Sequence, residues 1–218
     1  MRTKILLLLA IIFCVALTVN AQIDTGRFLI GGSINYYHST NESYNSLYTN
    51  IQIGKVIKDN SVVGISLSYS TNNSSSTTNK LRQYSAGVFY RKYKSLGKDF
   101  YLFGELDASY QYSNNVITFF QNANQSYYAN SNGVTINFIP GISYAMCKRL
   151  QIELSMPNLA TISYYHAKTI DSGLQPGTVP QKRDSFYANA SLNTSLLSNF
   201  GIGFKFLLGK SIFFSLTS

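Results

Sequence analysis

Apolar residues recur on every second position in a series of spans about ten residues long, and the stretches between those spans are alternately short and long. In residues 94–113, KSLGKDFYLFGELDASYQYS, the positions Phe100, Leu102, Leu106 and Tyr110 share one register. Tyr101, Phe103, Glu105, Asp107 and Gln111 share the other. A period of two places successive side chains on opposite faces of a strand, so each span has one apolar face. Two orientations satisfy the pattern. The leucines can face a core with the acids in water, or the acids can face inward with the leucines in lipid.

The same alternation runs through the rest of the chain. Phe28, Ile30, Ile34 and Tyr36 oppose Ser33 and Asn35, and Ile51, Ile53 and Ile57 oppose Asn50, Gln52 and Gly54. Val63, Ile65 and Leu67 oppose Gly64, Ser66 and Ser68, while Tyr84, Ala86, Val88 and Tyr90 oppose Ser85, Gly87, Phe89 and Arg91. Residues 133–145, 149–156 and 199–208 continue the series, the last with Ile202, Phe204 and Phe206 against Gly201, Gly203 and Lys205. Short turns fall at 58–60, 95–99 and 146–148, and long polar spacers at 39–46, 70–80 (STNNSSSTTNK), 113–132 and 168–183. Eight spans joined long, short, long, short put every tight turn at one end, which predicts an all-β, eight-stranded antiparallel up-and-down barrel. A tilted strand crosses a hydrocarbon layer in about nine to eleven residues, a length most of the spans reach. Aromatic residues gather at both ends, with Tyr36, Tyr69, Tyr84, Tyr110, Tyr112 and Tyr164 beside the long spacers. Phe28, Tyr90, Tyr93, Phe100, Tyr101 and Tyr144 lie toward the short turns, and the two sets predict interfacial girdles.

Residues 1–21 have the form of an export signal: Arg2 and Lys4, then an apolar run over residues 5–17, then a small residue, Ala21, before Gln22. The expected organisation is a signal peptide over 1–21 and one barrel domain over 22–218. Cleavage leaves Cys147 as the single cysteine, so no internal disulfide is available to an exported chain. No later run is long enough to cross a bilayer as a helix, so any crossing falls to strands. Charged residues are 12% of the chain, against about 25% in ordinary soluble domains. The net charge is +9, and removing Arg2 and Lys4 leaves 16 bases against 9 acids. Export argues against nucleic acid as the partner of that charge.

Residues 53–70 (IGKVIKDNSVVGISLSYS), 84–113 (YSAGVFYRKYKSLGKDFYLFGELDASYQYS) and 139–156 (IPGISYAMCKRLQIELSM) resemble the successive hairpins of small Gram-negative outer-membrane β-barrel proteins. These form the OmpA/OmpX-like, "outer membrane protein beta-barrel domain" or porin-family group. The resemblance implies the outer membrane as location, outer-membrane lipids as surroundings and the barrel assembly machinery as the partner during insertion. It specifies an architecture and not an activity. Members of the group often end on an aromatic residue that assists recognition by that machinery. Here residues 209–218, GKSIFFSLTS, follow the last regular span, and Phe206 and Phe214 are both candidates for that role.

With the family orientation, the leucines face lipid and Arg91, Glu105, Asp107, Glu153 and Lys205 face the lumen. Charges in a narrow interior must pair or stay hydrated, which predicts a paired polar plug. An ion path is the second reading of the same residues, and catalytic carboxylates a third that lacks any nucleophile or cleft. His38 and His166 lie at the long-spacer end with no cysteine or acid at ligand spacing, so no metal site is expected. Neither a G-x-S-x-G elbow nor a phosphate-binding glycine loop occurs, and no cofactor is expected. Ten bases, among them Lys55, Lys92, Lys94, Lys98 and Lys148, lie near the short-turn end, where anionic headgroups or simple solvation accounts for them. The Asn-, Ser- and Tyr-rich spacers suit contact with an extracellular ligand. The sequence therefore points to a structural or surface-interaction barrel, with a small pore as the alternative and a lipid-modifying outer-membrane enzyme behind it.

Overall fold

The computed structural model describes residues 23–39, 44–74, 79–118, 126–156, 159–171, 181–190 and 201–209. The expected signal segment lies outside them, as do residues 210–218 with Phe214. The described residues form ten strands: β1 (Phe28–Ser39), β2 (Tyr44–Lys58), β3 (Ser61–Ser74), β4 (Asn79–Gly97), β5 (Phe100–Thr118), β6 (Ser126–Ala145), β7 (Leu150–Ser155), β8 (Ala160–Asp171), β9 (Gln181–Ala190) and β10 (Gly201–Leu208). β1 to β7 pair in chain order, β7 pairs with β10, and β10 returns to β1, all antiparallel, so eight strands close a ring. β8 runs along the same edge of β6 as β7 but higher, from Tyr127 to Phe138, and β9 pairs with β8. The barrel thus has the expected eight staves, and β8 and β9 are added as a hairpin that prolongs the wall above β7.

Following paired residues once round the ring, from Asn132 through Tyr112, Tyr84, Tyr69, Thr49, Ile34, Ile202 and Leu154, returns to β6 at Ile142, ten residues further on. That stagger tilts the strands and fixes a narrow interior. Phe100 and Tyr110 are ten steps apart on β5. At ~3.3 Å per step and a tilt of ~40° they bracket about 25 Å, the height of a barrel's apolar band.

The orientation left open by the alternation is settled on this strand, where Leu106 is 51% exposed and Glu105 only 1%. A soluble sandwich or lipocalin-like barrel would bury the leucine and does not fit. Tyr69 and Tyr84 pack as a tilted ring pair, centroids 5.2 Å apart, on the upper rim of the band, and Phe100 and Tyr144 do so at 4.8 Å on the lower. The lower girdle is smaller than the sequence suggests. Tyr93 and Tyr101 point inward and are buried, because they occupy the luminal register of β4 and β5.

The polar spacers are corrected as well. β3 runs to Ser74 and β4 starts at Asn79, β5 and β6 continue to Thr118 and from Ser126, and β8 and β9 cover much of 160–190. Beyond the bilayer both faces of a strand meet water, so the ladder persists while the apolar alternation that marks a strand in sequence disappears. The three tight turns are where they were expected. Lys98 and Asp99 both take positive φ (47° and 67°), the two-residue geometry whose twist matches a hairpin, and Asn60 takes φ 62°.

The short-turn end is closed from inside. Ile23, Leu29, Val56, Val62, Phe89, Phe103 and Leu207 form an apolar floor. Its entry strap is latched by backbone bonds, Gly26 N to Val56 O at 2.8 Å and Asn60 N to Ile23 O at 3.0 Å, and by Thr25 Oγ1 donating to Asp59 Oδ1 at 2.7 Å. Gly64 and Gly141 make room for the two phenylalanines: a Cβ at Gly64 would lie 2.6 Å from the Phe89 ring, and one at Gly141 would overlap Phe103.

Two substitutions separate the wall from its faces. Leu106→Arg puts a charge in the band and should cost about 2 to 4 kcal/mol with impaired insertion. Gly87 looks in sequence like a gap in the lumen that a bulky residue would fill. Its Cβ would instead meet Ala108 O and Ser109 Cβ, each at 2.6 Å. Gly87→Leu should therefore weaken the β4–β5 ladder. Urea titration of the folded, faster-migrating band in detergent gels measures both, with lower midpoints than the parent expected.

Candidate functional site

Four of the five expected luminal charges meet in one layer directly above the apolar floor. Arg91 on β4 and Glu105 on β5 are cross-strand neighbours, Glu153 comes from β7, and Lys205 from β10. The strand parity that turns leucines outward turns these inward, and ring closure brings the last two across the lumen. Arg91 Nε donates to Glu105 Oε2 at 2.6 Å and Nη1 to Glu153 Oε1 at 2.6 Å. Lys205 Nζ lies 4.0 Å from Glu153 Oε2. All four side chains are buried. Arg91 also sits over the Phe103 ring, 4.5 Å from its centroid, so its guanidinium gains a cation–π contact as well as two carboxylates.

Two members of this layer carry no sequence signal as charges. Gln52 Nε2 donates to Glu105 Oε1 at 2.7 Å, while its Oε1 accepts from Arg91 Nη2 at 3.1 Å and from Lys205 Nζ. Tyr93 accepts from Arg91 Nη1 at 2.9 Å and donates to Glu153 Oε1 at 3.1 Å. Gln52 shares the polar register of its span with Asn50 and Gly54, and nothing in the alternation distinguishes it. Its place opposite Gly31 and Ser66 puts it within reach of the acid and both cations.

Asp107, the fifth expected residue, stands apart from this layer. It accepts from Ser66 Oγ and faces a cavity of about 240 Å³ above the charges. Serines 33, 66, 68, 70, 85 and 109, with Asn50, Gln83, Gln111 and Asn137, line much of its wall. A smaller cavity of about 140 Å³ shares Gln83 and Gln111 with it and continues toward Tyr165 and Ser131. The lumen is therefore a polar cup over an ionic layer over an apolar floor.

Other sequence candidates fall outside the lumen. His166 pairs with an acid that spacing did not reveal, Asp184 on β9, at 2.8 Å, and His38 lies against Asn45. Among the described residues no group of three His, Cys, Asp or Glu could hold a metal. Lys55, Lys92 and Lys94 are exposed near the lower edge of the band, Lys55 at 5.9 Å from the Phe28 ring centroid.

No family model and no curated protein matches the sequence. Among solved structures the chain is similar to a major outer membrane protein from Thermus thermophilus, at 7% identity over 84% of this chain and 98% of that one, with a TM-score of 0.49. It is also similar to Neisserial surface protein A, at 14% identity over 84% of this chain and 97% of that one, with a TM-score of 0.39. Neither likeness carries a ligand, a residue role or an activity across. The barrel assignment rests on the closed ladder and the inverted polarity of its own wall.

The ionic layer makes a double-mutant prediction. Glu105→Ala leaves Arg91 under-compensated, and Arg91→Ala leaves two acids without their main partner. Each should cost about 3 to 5 kcal/mol, because the surviving charge stays buried. The double variant Arg91→Ala with Glu105→Ala should cost less than the sum of the two, a coupling that urea midpoints of all four proteins will report.

Proposed function

We propose that the chain is an integral outer-membrane β-barrel protein, exported by its N-terminal signal, with a structural or surface-interaction role and no turnover. The observation that carries this reading is the closure of the lumen. The Arg91 layer rests on Phe103 and Phe89 over the Ile23 and Leu29 floor, while the outer wall presents a continuous apolar band. In this reading the short turns face the periplasm, and the prolonged strands β4, β5, β6, β8 and β9 stand outside the cell. Their Asn-, Ser- and Tyr-rich faces suit a surface ligand, and the wall contacts outer-membrane lipids after delivery by the barrel assembly machinery. The hairpin resemblance to the OmpA/OmpX-like group supports this placement. Of its two candidate terminal aromatics, Phe206 lies on the outer face of β10.

A pore for ions or small solutes is the alternative reading of the same lumen. The polar cup favours it, but the cup ends on a buried ionic layer and an apolar floor, which argues for a blind chamber. A lipid-modifying enzyme would need an activated nucleophile at the wall, and the two histidine rings meet Asn45 and Asp184.

Fractionation tests location: the protein should resist carbonate extraction and shift mobility on heating. Planar-bilayer recording tests the lumen. The parent should show no steady conductance, and Phe89→Ala with Phe103→Ala, which thins the floor, should raise the frequency of openings. Steady conductance of the parent would replace the closed-barrel reading with the pore. Altered lipid A in cells expressing the protein would replace it with the enzyme.

A further inference from the structure

The charges that line the luminal cup do not balance. Its wall includes three carboxylates, Glu105, Asp107 and Glu153, and two cations, Arg91 and Lys205. Glu105 and Glu153 are matched by Arg91 and Lys205 within the layer below. Asp107 sits one inward row higher, opposite Phe89 on β4 and Asn137 on β6. It is 8% exposed, and the donor that reaches it from across the wall is the neutral Ser66 hydroxyl. No ion pair joins it to a cation among the described residues. With the Asp107 carboxyl ionised, one full negative charge faces the cup. A carboxylate confined in this way is unfavourable unless a counter-charge shares its space.

The surroundings define the counter-charge. Hydroxyl oxygens of Ser66, Ser68, Ser85 and Ser109 and the amide oxygen of Asn137 share the cavity with Asp107, and a carboxylate set among hydroxyl and amide oxygens suits a hard cation. A divalent ion would leave the cup with one positive charge, the same imbalance with its sign reversed. A monovalent ion brings the lining to neutrality. At roughly 10 to 15 Å³ for each water, a space of about 240 Å³ accommodates such an ion with part of its hydration shell. The smaller cavity beside Gln83 and Gln111 extends this space toward the long-strand end, away from the apolar floor.

We infer that the luminal cup is a binding site for a monovalent alkali cation held beside the Asp107 carboxylate. The site differs from the charge layer in kind. The layer is a permanent protein network, whereas the cup exchanges its ion with the medium. A proton on Asp107 would also remove the imbalance, and it is the competing outcome.

Two measurements on the purified full barrel in detergent test this. First, the thermal midpoint of the heat-modifiable band is followed in KCl and in N-methyl-D-glucamine chloride at equal ionic strength. The parent should melt higher in KCl by an increment that grows with concentration, as linkage to a bound ion requires. Asp107→Asn should melt alike in the two salts. Second, crystals of the parent grown with RbCl should show an anomalous peak within coordinating distance of the Asp107 carboxylate. Equal midpoints for the parent in both salts would overturn the site in favour of a protonated Asp107, and an Asp107→Asn variant that keeps the potassium increment would overturn it in favour of potassium acting elsewhere. If that variant fails to fold, the rubidium map decides, and a cup without an anomalous peak rejects the inference. Loss of the heat-dependent mobility shift in the parent would instead count against the barrel itself.

Discussion

Closure of the ladder between β1 and β10 is the constraint on which the rest of the structure depends. In hydrocarbon, a strand edge leaves N–H and C=O groups without partners at several kcal/mol each, so a membrane sheet must end on itself. Residues Phe28 to Ile34 do this against Leu208 to Ile202. Eight strands with a ten-residue stagger enclose a space that side chains nearly fill, and the sequence responds in size as well as polarity. Gly54 and Gly64 sit where the Phe89 ring lies, and Gly141 where the Phe103 ring lies. Small and large residues are thus matched between neighbouring staves, and strand residues make most of the floor, with Ile23 added from the entry strap.

The inverted polarity of the wall then determines where ionic cohesion can be placed. Outward positions within the band must be apolar, so any charge in a membrane-spanning stretch of strand has to point inward and find partners there. Arg91 is suited to the centre of such a layer. Its planar fork reaches Glu105, Glu153, Tyr93 and Gln52 at once while the flat face lies on Phe103. A lysine at that position would keep the charge and lose the fork. Gln52 contributes differently, since one amide can donate to an acid and accept from two cations without adding charge. It links Glu105 to Lys205, which are not direct partners.

Much of this was legible in the sequence where the alternation was strong. The parity of Leu102, Leu106 and Tyr110 against Glu105 and Asp107 marked β5, and the long and short spacers marked the up-and-down order. The orientation needed the family resemblance, because period two is the same for a soluble and a membrane strand. What stayed hidden was of two kinds. β9 and the upper parts of β4, β5, β6 and β8 have wet faces on both sides, so they leave no apolar period. The partners of the lumen charges come from residues far apart in the chain, such as Gln52 with Lys205, or His166 with Asp184. Register decides those meetings, and neither polarity nor spacing along one strand encodes it. Tyr93 and Tyr101 show the same limit: an aromatic near a turn reads as a girdle residue until its parity is placed in the lumen.

The order of layers within the lumen explains why two acids two residues apart on one strand have different partners. Glu105 lies just above the apolar floor, where Phe103 and Tyr93 keep water away and the local dielectric is low. There an ionised carboxylate needs full positive charge at contact, and it has Arg91 at 2.6 Å. Asp107 is one inward row higher, against a cup walled by hydroxyls and amides with room for water and a small ion. There a neutral donor such as Ser66 can suffice as the protein's own contribution. Exchanging the two environments would strand Arg91 in the polar cup and leave a carboxylate against the floor without a cation. The sequence Glu105-Leu106-Asp107 thus follows the dielectric gradient of the barrel from its closed end to its open one, with Leu106 between them on the lipid face.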